Sequence, residues 1–252
     1  MKMKILSLNC QQGYNLALKD FLHHIFDIKS YDFVLLQEVD EKVLSFLDNS
    51  SYKLVRSFNE ETGRDSLLCI AYREQYLPIK TGFKSFAFAR KDHMHGFKHP
   101  AYGLLWADFK IENRIIRIAS IHLHSGTDRR VRLKELQVAK KLLLDDTTSS
   151  VIFAGDLNAG FPSEPINMAQ TLLPEFIWET KDIGPTLNSR YTENVPHLPN
   201  RIAAFLSIFG MGIKLRTDHF FVDRESVKTS IIHCSVLPDR VSDHSPIELT
   251  IY

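Results

Sequence analysis

Short apolar runs, each bounded by turn or polar residues, recur along the chain and predict buried β-strands. They are rich in Ile, Val, Leu and Phe, which is typical of strands that lie inside a sheet. The runs are Ile5–Leu8, Phe33–Leu36, Ser66–Tyr72, Tyr102–Lys110, Ile115–Ile121, Val151–Gly155, Phe220–Val222 and Pro246–Ile251.

Two longer segments, Asn15–Ile28 and Asp128–Leu144, carry apolar residues at helical spacing and predict amphipathic helices. A single apolar face with charged residues elsewhere is typical of a helix that covers a sheet. The apolar positions are Leu18, Phe21, Leu22 and Ile25 in the first segment and Leu136, Ala139 and Leu143 in the second.

Strands and helices follow one another through all 252 residues without an internal repeat, a linker or a low-complexity stretch. A chain of this length commonly forms one domain, so we predict a single domain over residues 1–252 and expect a monomer. The 44% hydrophobic content is ordinary for a globular protein and is enough for a large core.

Composition narrows the functional classes. The chain has 31 basic and 30 acidic residues and a formal charge of +1. This balance argues against strong non-specific binding to long duplex nucleic acid, which relies on many phosphate contacts. It remains compatible with a local basic groove or a small substrate. Cys10, Cys69 and Cys234 have no metal-ligand spacing, and an odd number of cysteines without a framework fits a reducing compartment.

The start of the chain predicts a cytoplasmic protein. Met1–Ile5 leads directly into the first predicted strand and leaves no room for a cleavable signal peptide. No apolar run approaches the roughly 20 residues that a membrane-spanning helix needs. We therefore expect a soluble protein in the cytoplasm.

Polar residues that can bind metals or move protons stand beside several of the predicted strands. At the same ends of neighbouring strands they would meet on one rim of a sheet, where residues distant in sequence can share a ligand. A carboxylate at the end of a buried strand needs a partner, because an unpaired buried charge is costly. This ordered set predicts a metal-dependent phosphoesterase and comprises Asn9, Glu38, His122, Asp156, Asn158, Asp218, Asp243 and His244.

Glu38 is the strongest candidate for a metal ligand. Mg²⁺ prefers carboxylate and amide oxygens and keeps several waters, so one or two carboxylates suffice. Asn9 and Asp243 could complete the shell, directly or through water. The alternative interpretations are a solvated strand end for Glu38 and a turn cap for Asn9.

Asp156 and Asn158 stand two residues apart in Gly-Asp-Leu-Asn. An ionised Asp can orient or deprotonate an attacking water, and a neutral Asn can donate to a phosphate oxygen without adding repulsive charge. The alternative is an Asx turn, which these residue types favour in any protein. That alternative does not explain why they follow a buried strand.

Two single histidines and one group of three histidines remain as candidates. His244 with Asp218 forms a plausible imidazole–carboxylate pair that can stabilise phosphorane charge or transfer protons, and His122 could act on the other side of the phosphate. The group His93, His95 and His99 could suggest zinc. Its Gly, Lys and Pro neighbours favour a loop, and no cysteine or acid completes a ligand set.

The order of these motifs, from Asn9 to His244, resembles that of the endonuclease/exonuclease/phosphatase superfamily. The superfamily includes apurinic endonucleases, pancreatic deoxyribonuclease, neutral sphingomyelinases, inositol-polyphosphate 5-phosphatases and 5′-tyrosyl-DNA phosphodiesterases. The resemblance implies an α+β fold, a four-layer α/β sandwich in which two mostly antiparallel sheets pack face to face between helices.

The resemblance also implies roles for individual residues. It places Mg²⁺ or Mn²⁺ at Glu38 with Asn9 and Asp243 nearby. It implies that Asp156 and Asn158 position the nucleophile and the scissile phosphate, and that Asp218 orients His244. Apurinic endonucleases usually carry a tyrosine at the position of His122, so the histidine argues against abasic-site repair.

One segment departs from the family pattern. An apolar excursion at about 196–216 contains apolar residues at helical spacing, including Phe205, Leu206 and Phe209. It is either a helix packed on the sandwich or an apolar lid over 202–215 that contacts lipid or a hydrophobic substrate group. Arg129 and Arg130, with Arg132, could bind a second phosphate, although such residues more often form a solvated face.

From these features we predict a Mg²⁺-dependent phosphoesterase that hydrolyses a phosphodiester, most readily that of a nucleic acid, by in-line attack of an activated water. A phospholipid or inositol-phosphate hydrolase is the first alternative, supported by the apolar excursion. A catalytically silent binding protein on the same fold is the second. It predicts the loss of site residues, yet all of them are present.

Overall fold

Two six-stranded β-sheets lie face to face, with helices on their outer surfaces. The structure is a computed structural model that describes residues 2–10, 16–27, 31–59, 64–86, 102–125, 129–145, 150–159, 167–168, 174–188, 214–228, 230–239 and 241–252. The strands are β1 (Met3–Asn9), β2 (Phe33–Gln37), β3 (Tyr52–Asn59), β4 (Arg64–Arg73), β5 (Pro78–Ser85), β6 (Gly103–Ile111), β7 (Arg114–His122), β8 (Ser150–Asp156), β9 (Phe176–Trp178), β10 (Leu187–Asn188), β11 (Lys214–Leu215), β12 (Asp218–Asp223), β13 (Ile232–Val236) and β14 (Ile247–Ile251). The helices are α1 (Leu16–Asp27), α2 (Glu41–Asp48), α3 (Arg129–Leu143) and α4 (Arg224–Val227).

Both sheets have the same plan. The first has the strand order β13-β14-β1-β2-β4-β3 and the second β5-β6-β7-β8-β12-β9. In the first sheet β1 and β2 are parallel, in the second β7 and β8 are parallel, and every other described pairing is antiparallel. A parallel pair needs a crossover connection, and α1 and α3 lie within those two connections.

The core occupies three interfaces between these layers. Side chains from both sheets, such as Phe33 and Phe220, fill the space between the sheets. A second cluster lies between the first sheet and helices α1 and α2, and a third lies between the second sheet and helix α3. These layers confirm the predicted four-layer sandwich with two mostly antiparallel sheets.

The predicted helices agree with the structure to within one residue at each end. Their apolar faces, including Leu18, Leu22, Leu136 and Ala139, are fully buried. Helix α2 was not predicted, because its eight residues bury only three apolar side chains. It begins after Asp40, whose carboxylate accepts the N–H of Val43 at 2.8 Å as an N-cap.

Two expectations fall largely outside the described residues. The apolar excursion is described only at 214–216, where β11 pairs with β10, and the His93, His95 and His99 group is not described at all. Within the described part of the chain, no helix combines the length and the apolar character that crossing a membrane requires.

Candidate active site

Strand direction brings the predicted site residues to one rim of the sandwich. In the first sheet Asn9, at the end of β1, pairs with Gln37 at the end of the parallel strand β2. In the second sheet His122 and Asp156 are register partners at the ends of the parallel strands β7 and β8. The antiparallel strand β12 starts at the same edge, because its first residue, Asp218, pairs with Asp156.

The two sheets meet at this rim through Asn9, Glu38 and Asp156. The amide Nδ2 of Asn9 donates to Glu38 Oε1 at 3.1 Å and to Asp156 Oδ2 at 3.0 Å. Glu38 directly follows β2 in the left-handed region, with φ of 52°, which is uncommon for a residue other than glycine. In this geometry Asn9 joins the two carboxylates with its nitrogen rather than facing them with its oxygen.

Glu38, His122 and Asp156 are close enough to share one cation. One ligand atom from each lies within 4.8 Å of the others, with His122 Nε2 at 3.6 Å from Glu38 Oε1 and 3.8 Å from Asp156 Oδ2. His122 is 1% exposed, and neither ring nitrogen has a hydrogen-bond partner among the described residues. In that same part of the chain, no Lys or Arg forms an ion pair with Glu38 or Asp156. The donor set therefore fits a divalent cation.

Burial shifts the protonation of these groups. Desolvation raises the pKa of Glu38, and it raises the pKa of Asp156 to about 7 although the charge of His244 opposes that change. Desolvation, assisted by the neighbouring charge of His244, lowers the pKa of His122 to about 3. His122 is thus a neutral imidazole at physiological pH, and the two carboxylates lack a cationic partner strong enough to offset their burial.

His244 and Asp218 form a buried ion pair. His244 Nδ1 lies 2.8 Å from Asp218 Oδ2. Burial opposes the charged imidazole, but the charges of Asp218 and Asp243 raise the pKa of His244 well above its ordinary value. Burial also opposes ionisation of Asp218, but the His244 charge and hydrogen bonds from His244 and Thr217 lower the pKa of that carboxyl. His244 Nε2 faces Asp156 Oδ2 at 3.8 Å.

The turn before β14 fixes His244 and Asp243. Ser242 Oγ donates to the carbonyl of Asn9 at 2.8 Å and accepts the N–H of His244 at 3.0 Å, which ties this turn to the end of β1. Asp243 Oδ1 lies 3.8 Å from His244 Nε2. Asp243 therefore lines the same rim, although it is outside the three-residue group around Glu38.

Asp156 makes the Asx turn considered from the sequence and also faces the site. Its Oδ1 accepts the backbone N–H of Asn158 at 2.7 Å, and its Oδ2 is the oxygen near Asn9, His122 and His244. Asn158 adopts φ of 49°, and its Nδ2 donates to the carbonyl of Leu123 at 2.8 Å. The turn and the site are thus one structure.

The arginines of the predicted second phosphate site lie in the first turn of helix α3. Arg129 and Arg130 are exposed at the start of α3. Arg132 is only 4% exposed and donates from Nη1 to the carbonyl of His124 at 3.2 Å. Arg132 is therefore part of the interior, and any second phosphate would have to bind to the two exposed arginines.

Several supporting residues were not found from the sequence. Gln37 Nε2 donates to Ser7 Oγ at 3.3 Å in its own sheet and to Ser120 Oγ at 2.9 Å in the other, directly below the rim. Thr186 Oγ1 accepts the backbone N–H of Asp218 at 3.1 Å. The adjacency of Gln37 to Glu38 is the only signal that could have indicated the first, and no signal indicates Thr186.

The fold and the rim together define a phosphoesterase-type α/β sandwich with an acidic and histidine-containing candidate metal site. The model of the Endonuclease/Exonuclease/phosphatase family matches residues 6–244. The chain belongs to this family. A comparison with curated protein sequences finds no match.

Solved structures share the fold over almost the whole chain. D. rerio TDP2 complexed with a single-strand DNA product has 18% identity and a TM-score of 0.72, over 100% of this chain and 99% of that one. A functionally unknown conserved protein from Enterococcus faecalis has 19% identity and a TM-score of 0.72, over 99% of each chain. The mannosyl-6-phosphatase of Bacteroides thetaiotaomicron has 14% identity and a TM-score of 0.71, also over 99% of each.

Proposed function

We propose that this protein is a divalent-cation-dependent phosphodiesterase that cleaves its substrate by in-line attack of a water molecule. The observation that carries the proposal is the position of Asp156 Oδ2. It lies 3.8 Å from both His122 Nε2 and His244 Nε2 and accepts the amide of Asn9, which also binds Glu38. A candidate base, a charged imidazole and a candidate cation ligand therefore surround one small volume.

Asp156 is the residue that orients and deprotonates the attacking water. A general base works best when its pKa lies near the operating pH, and burial raises the pKa of Asp156 to about 7. The N–H of Asn158 fixes Oδ1, so Oδ2 is the oxygen that receives the proton. A carboxylate held in this way is positioned before the substrate arrives.

His244 supplies positive charge opposite this base. Its imidazole is kept charged by Asp218 and Asp243, so its Nε2–H can stabilise the charge that develops on the phosphoryl oxygens. Asp218 Oδ2 binds both His244 Nδ1 and the Thr217 hydroxyl. Its role is to hold the ring and its proton, not to contact the substrate.

His122 and Asn158 contact the phosphate as neutral groups. An Asn side-chain amide has two N–H donors. In Asn158 one donor binds the Leu123 carbonyl, and the other remains for a phosphate oxygen. His122 is neutral because burial lowers its pKa to about 3, so its ring can hydrogen-bond to the phosphate without competing with the cation for charge.

Glu38 is the principal ligand of the cation, with Asn9 holding its carboxylate against Asp156 and Asp243 completing the shell directly or through water. When bound, Mg²⁺ or Mn²⁺ would neutralise the phosphate and the leaving oxyanion. The donor chemistry supports these ions, since carboxylate oxygens suit Mg²⁺ and Mn²⁺.

We propose a nucleic-acid phosphodiester as the substrate. Support comes from the shared fold with D. rerio TDP2, whose structure holds a single-strand DNA product. The +1 formal charge favours a short or single-stranded nucleic acid over a long duplex, because duplex binding depends on many phosphate contacts.

The test is an assay with single-strand DNA, duplex DNA, RNA, tyrosyl-DNA, phospholipid, inositol phosphate and mannose 6-phosphate, in Mg²⁺, in Mn²⁺ and with a chelator. We expect Mg²⁺-dependent cleavage of a nucleic acid that disappears with the chelator and in the Glu38→Gln variant. Glu41→Gln, an exposed Glu in α2, is the matched control and should keep full activity. Cleavage of only the lipid, inositol or sugar substrate would overturn the substrate class. Full Glu38→Gln activity at limiting Mg²⁺ would overturn the cation site.

A further inference from the structure

A buried carboxylate in helix α3 has no part in the proposed chemistry. Glu135 is 0% exposed. Its Oε2 accepts the backbone N–H of His124 at 2.8 Å, and its Oε1 has no hydrogen-bond partner among the described residues. Burying a carboxylate away from water is costly, and a Leu at this helical position would pack against the sheet without that cost. Glu135 therefore has a specific use in this place.

Arg132, one turn earlier in α3, binds the backbone carbonyl of His124, the residue whose N–H binds Glu135. It is 4% exposed, and its Nη1 donates to the carbonyl oxygen of His124 at 3.2 Å. Helix α3 thus holds both the N–H and the carbonyl of His124. We call Glu135, Arg132 and the His124 backbone the α3 clamp.

The α3 clamp holds the segment that carries the phosphate-contacting groups. His122 ends β7, and the next residue, Leu123, donates its N–H to the carbonyl of Asp156 at 2.9 Å and accepts Asn158 Nδ2 at 2.8 Å. His124 follows immediately. Because Leu123 lies between His122 and His124 and its carbonyl binds Asn158, a shift of His124 would be passed on to both His122 and Asn158.

A tyrosine also packs on the same segment. The Tyr102 ring meets the His122 ring edge-on at 5.0 Å between centroids and the His124 ring at 5.2 Å. The segment 122–124 is thus held by α3 through its backbone and by Tyr102 through its side chains. The α3 contacts bind only the His124 backbone, which is outside the group Glu38, His122 and Asp156 that could hold a cation.

We propose that Glu135 and Arg132 are positioning residues that act through the 122–124 segment to place His122 and Asn158 against the substrate phosphate. This inference rests on the proposed function for its kinetic consequence, but its structural consequence can be measured without any substrate. What Glu135 provides is a hydrogen-bond acceptor of the right length for His124, so a Gln, which keeps an acceptor oxygen, should replace it.

The experiment compares Glu135→Leu, Glu135→Gln and Leu136→Ala in the full chain. Leu136 is the adjacent, fully buried residue on the same helix, so its truncation reduces apolar packing but removes neither α3 hydrogen bond to the His124 backbone. We expect Glu135→Leu to lower kcat by about tenfold to a hundredfold, the scale of a misplacement of about 1 Å, while KM changes by less than about threefold. Glu135→Gln should restore kcat, and Leu136→Ala should lower the melting temperature but leave kcat unchanged.

A second measurement uses the nuclear magnetic resonance signals of the free protein. Glu135→Leu should accelerate hydrogen exchange at the His124 N–H and shift the Asn158 side-chain amide signal, and Glu135→Gln should reverse both changes. If Glu135→Leu does not fold, Arg132→Met releases the carbonyl side of the clamp and should change the same signals.

The outcomes separate the two proposals. Wild-type protein without phosphodiesterase activity, but with the expected His124 and Asn158 changes, would remove the proposed function and leave the clamp. Active wild-type protein in which Glu135→Leu matches Leu136→Ala in kcat and in the Asn158 signal would overturn the clamp. A Glu135→Gln variant as impaired as Glu135→Leu would also overturn it, because the acceptor would then not be what matters.

Discussion

His244 Nδ1 and Asp218 Oδ2 are 2.8 Å apart at the edge shared by the two sheets, and both side chains are almost completely buried. Asp218 belongs to a strand of the second sheet, and His244 precedes a strand of the first. Since each keeps the other charged, removing either one leaves the second in an altered state. The pair therefore behaves as one unit.

This dependence predicts non-additive losses. Asp218→Asn and His244→Ala should each lower kcat/KM by about 10²- to 10⁴-fold, and the double variant should be little worse than the poorer single variant. The measurement is a double-mutant cycle on the substrate identified in the assay above. Asp223→Asn, at the opposite end of β12, is the control and should keep its activity. Losses that multiply fully in the double variant would contradict the assignment.

We expect the small substitution Gly155→Ala to reduce stability and activity severely. It has φ of 150°, and a Cβ at this position would lie 1.9 Å from the carbonyl oxygen of Ile121 in β7. Gly155→Ala must push β8 away from β7 and displace Asp156, so we expect a loss of at least about 2 kcal/mol of stability together with activity.

Gly184→Ala is the control for Gly155, because nothing lies within 4 Å of a Cβ built at Gly184. We expect its stability to change by no more than about 0.5 kcal/mol. Urea unfolding of both variants makes the comparison. Equal stabilities for the two variants would mean that β7 and β8 can separate at little cost.

We expect Glu135 to make the free energy of unfolding depend on pH. Burial raises its pKa from 4.5 to about 7, against the opposing effects of the His124 N–H and the Arg132 charge. The folded protein therefore holds this proton more tightly than the unfolded chain does. The stabilisation is fully present below pH 4.5 and is lost as the pH rises through about 7.

The Glu135→Gln side chain does not titrate, so comparison with this variant isolates the contribution of Glu135 to the pH dependence of stability. Relative to that variant, the wild type should lose about 3 kcal/mol of unfolding free energy between pH 4 and pH 8. Urea unfolding at the two pH values measures the change. A difference between the two proteins that does not vary with pH would show that Glu135 ionises normally.

We expect a stability defect from the replacement of Arg117, a residue outside the candidate active site. Its guanidinium is 0% exposed and binds Asp108 through Nε at 2.7 Å and Nη2 at 2.8 Å, and Nη1 donates to the carbonyl of Leu142 near the end of α3. Arg117→Met would leave Asp108 buried without its cation, at a cost of about 3–5 kcal/mol.

The control for Arg117 is Arg114→Met, an exposed arginine on the same strand, which should be nearly neutral in thermal unfolding. The double variant Asp108→Leu with Arg117→Met should regain much of the lost stability, since no buried charge then remains alone. A double variant less stable than Arg117→Met would show that Asp108 contributes in some other way.

Much of the architecture could be predicted because the apolar runs and the helical spacing of apolar residues are visible in the sequence. Ile115–Ile121 and Val151–Gly155 are predominantly apolar, as is typical of buried strands, and each lies within the strand that the structure assigns. Glu38 and Asp156 could be found because each is a carboxylate within two residues of the end of an apolar run. The rim followed from strand ends alone, without knowledge of the strand order.

Residues that support the site from outside the strand ends were not predictable. Glu135 stands among Lys134, Lys140 and Lys141 in sequence, so it resembles a solvated helix residue, and only the packing of α3 on the second sheet buries it. Thr186 comes from a short segment with no periodic pattern. Helix capping by Asp40 was readable in principle, but eight residues are too few for a helical repeat to be distinguished from a loop.

The candidate site is divided between the two sheets, so its geometry depends on how the sheets are aligned. Asn9 and Glu38 belong to one sheet, and His122, Asp156 and Asp218 belong to the other. Sliding the layers by a fraction of one residue would therefore break the hydrogen bond between Asn9 and Asp156 before it exposed any apolar core. A solvent or temperature that loosens only the packing between the two sheets should therefore abolish activity, while circular dichroism still shows intact sheets. Activity should therefore detect a small misalignment of the layers that measurements of secondary structure do not detect.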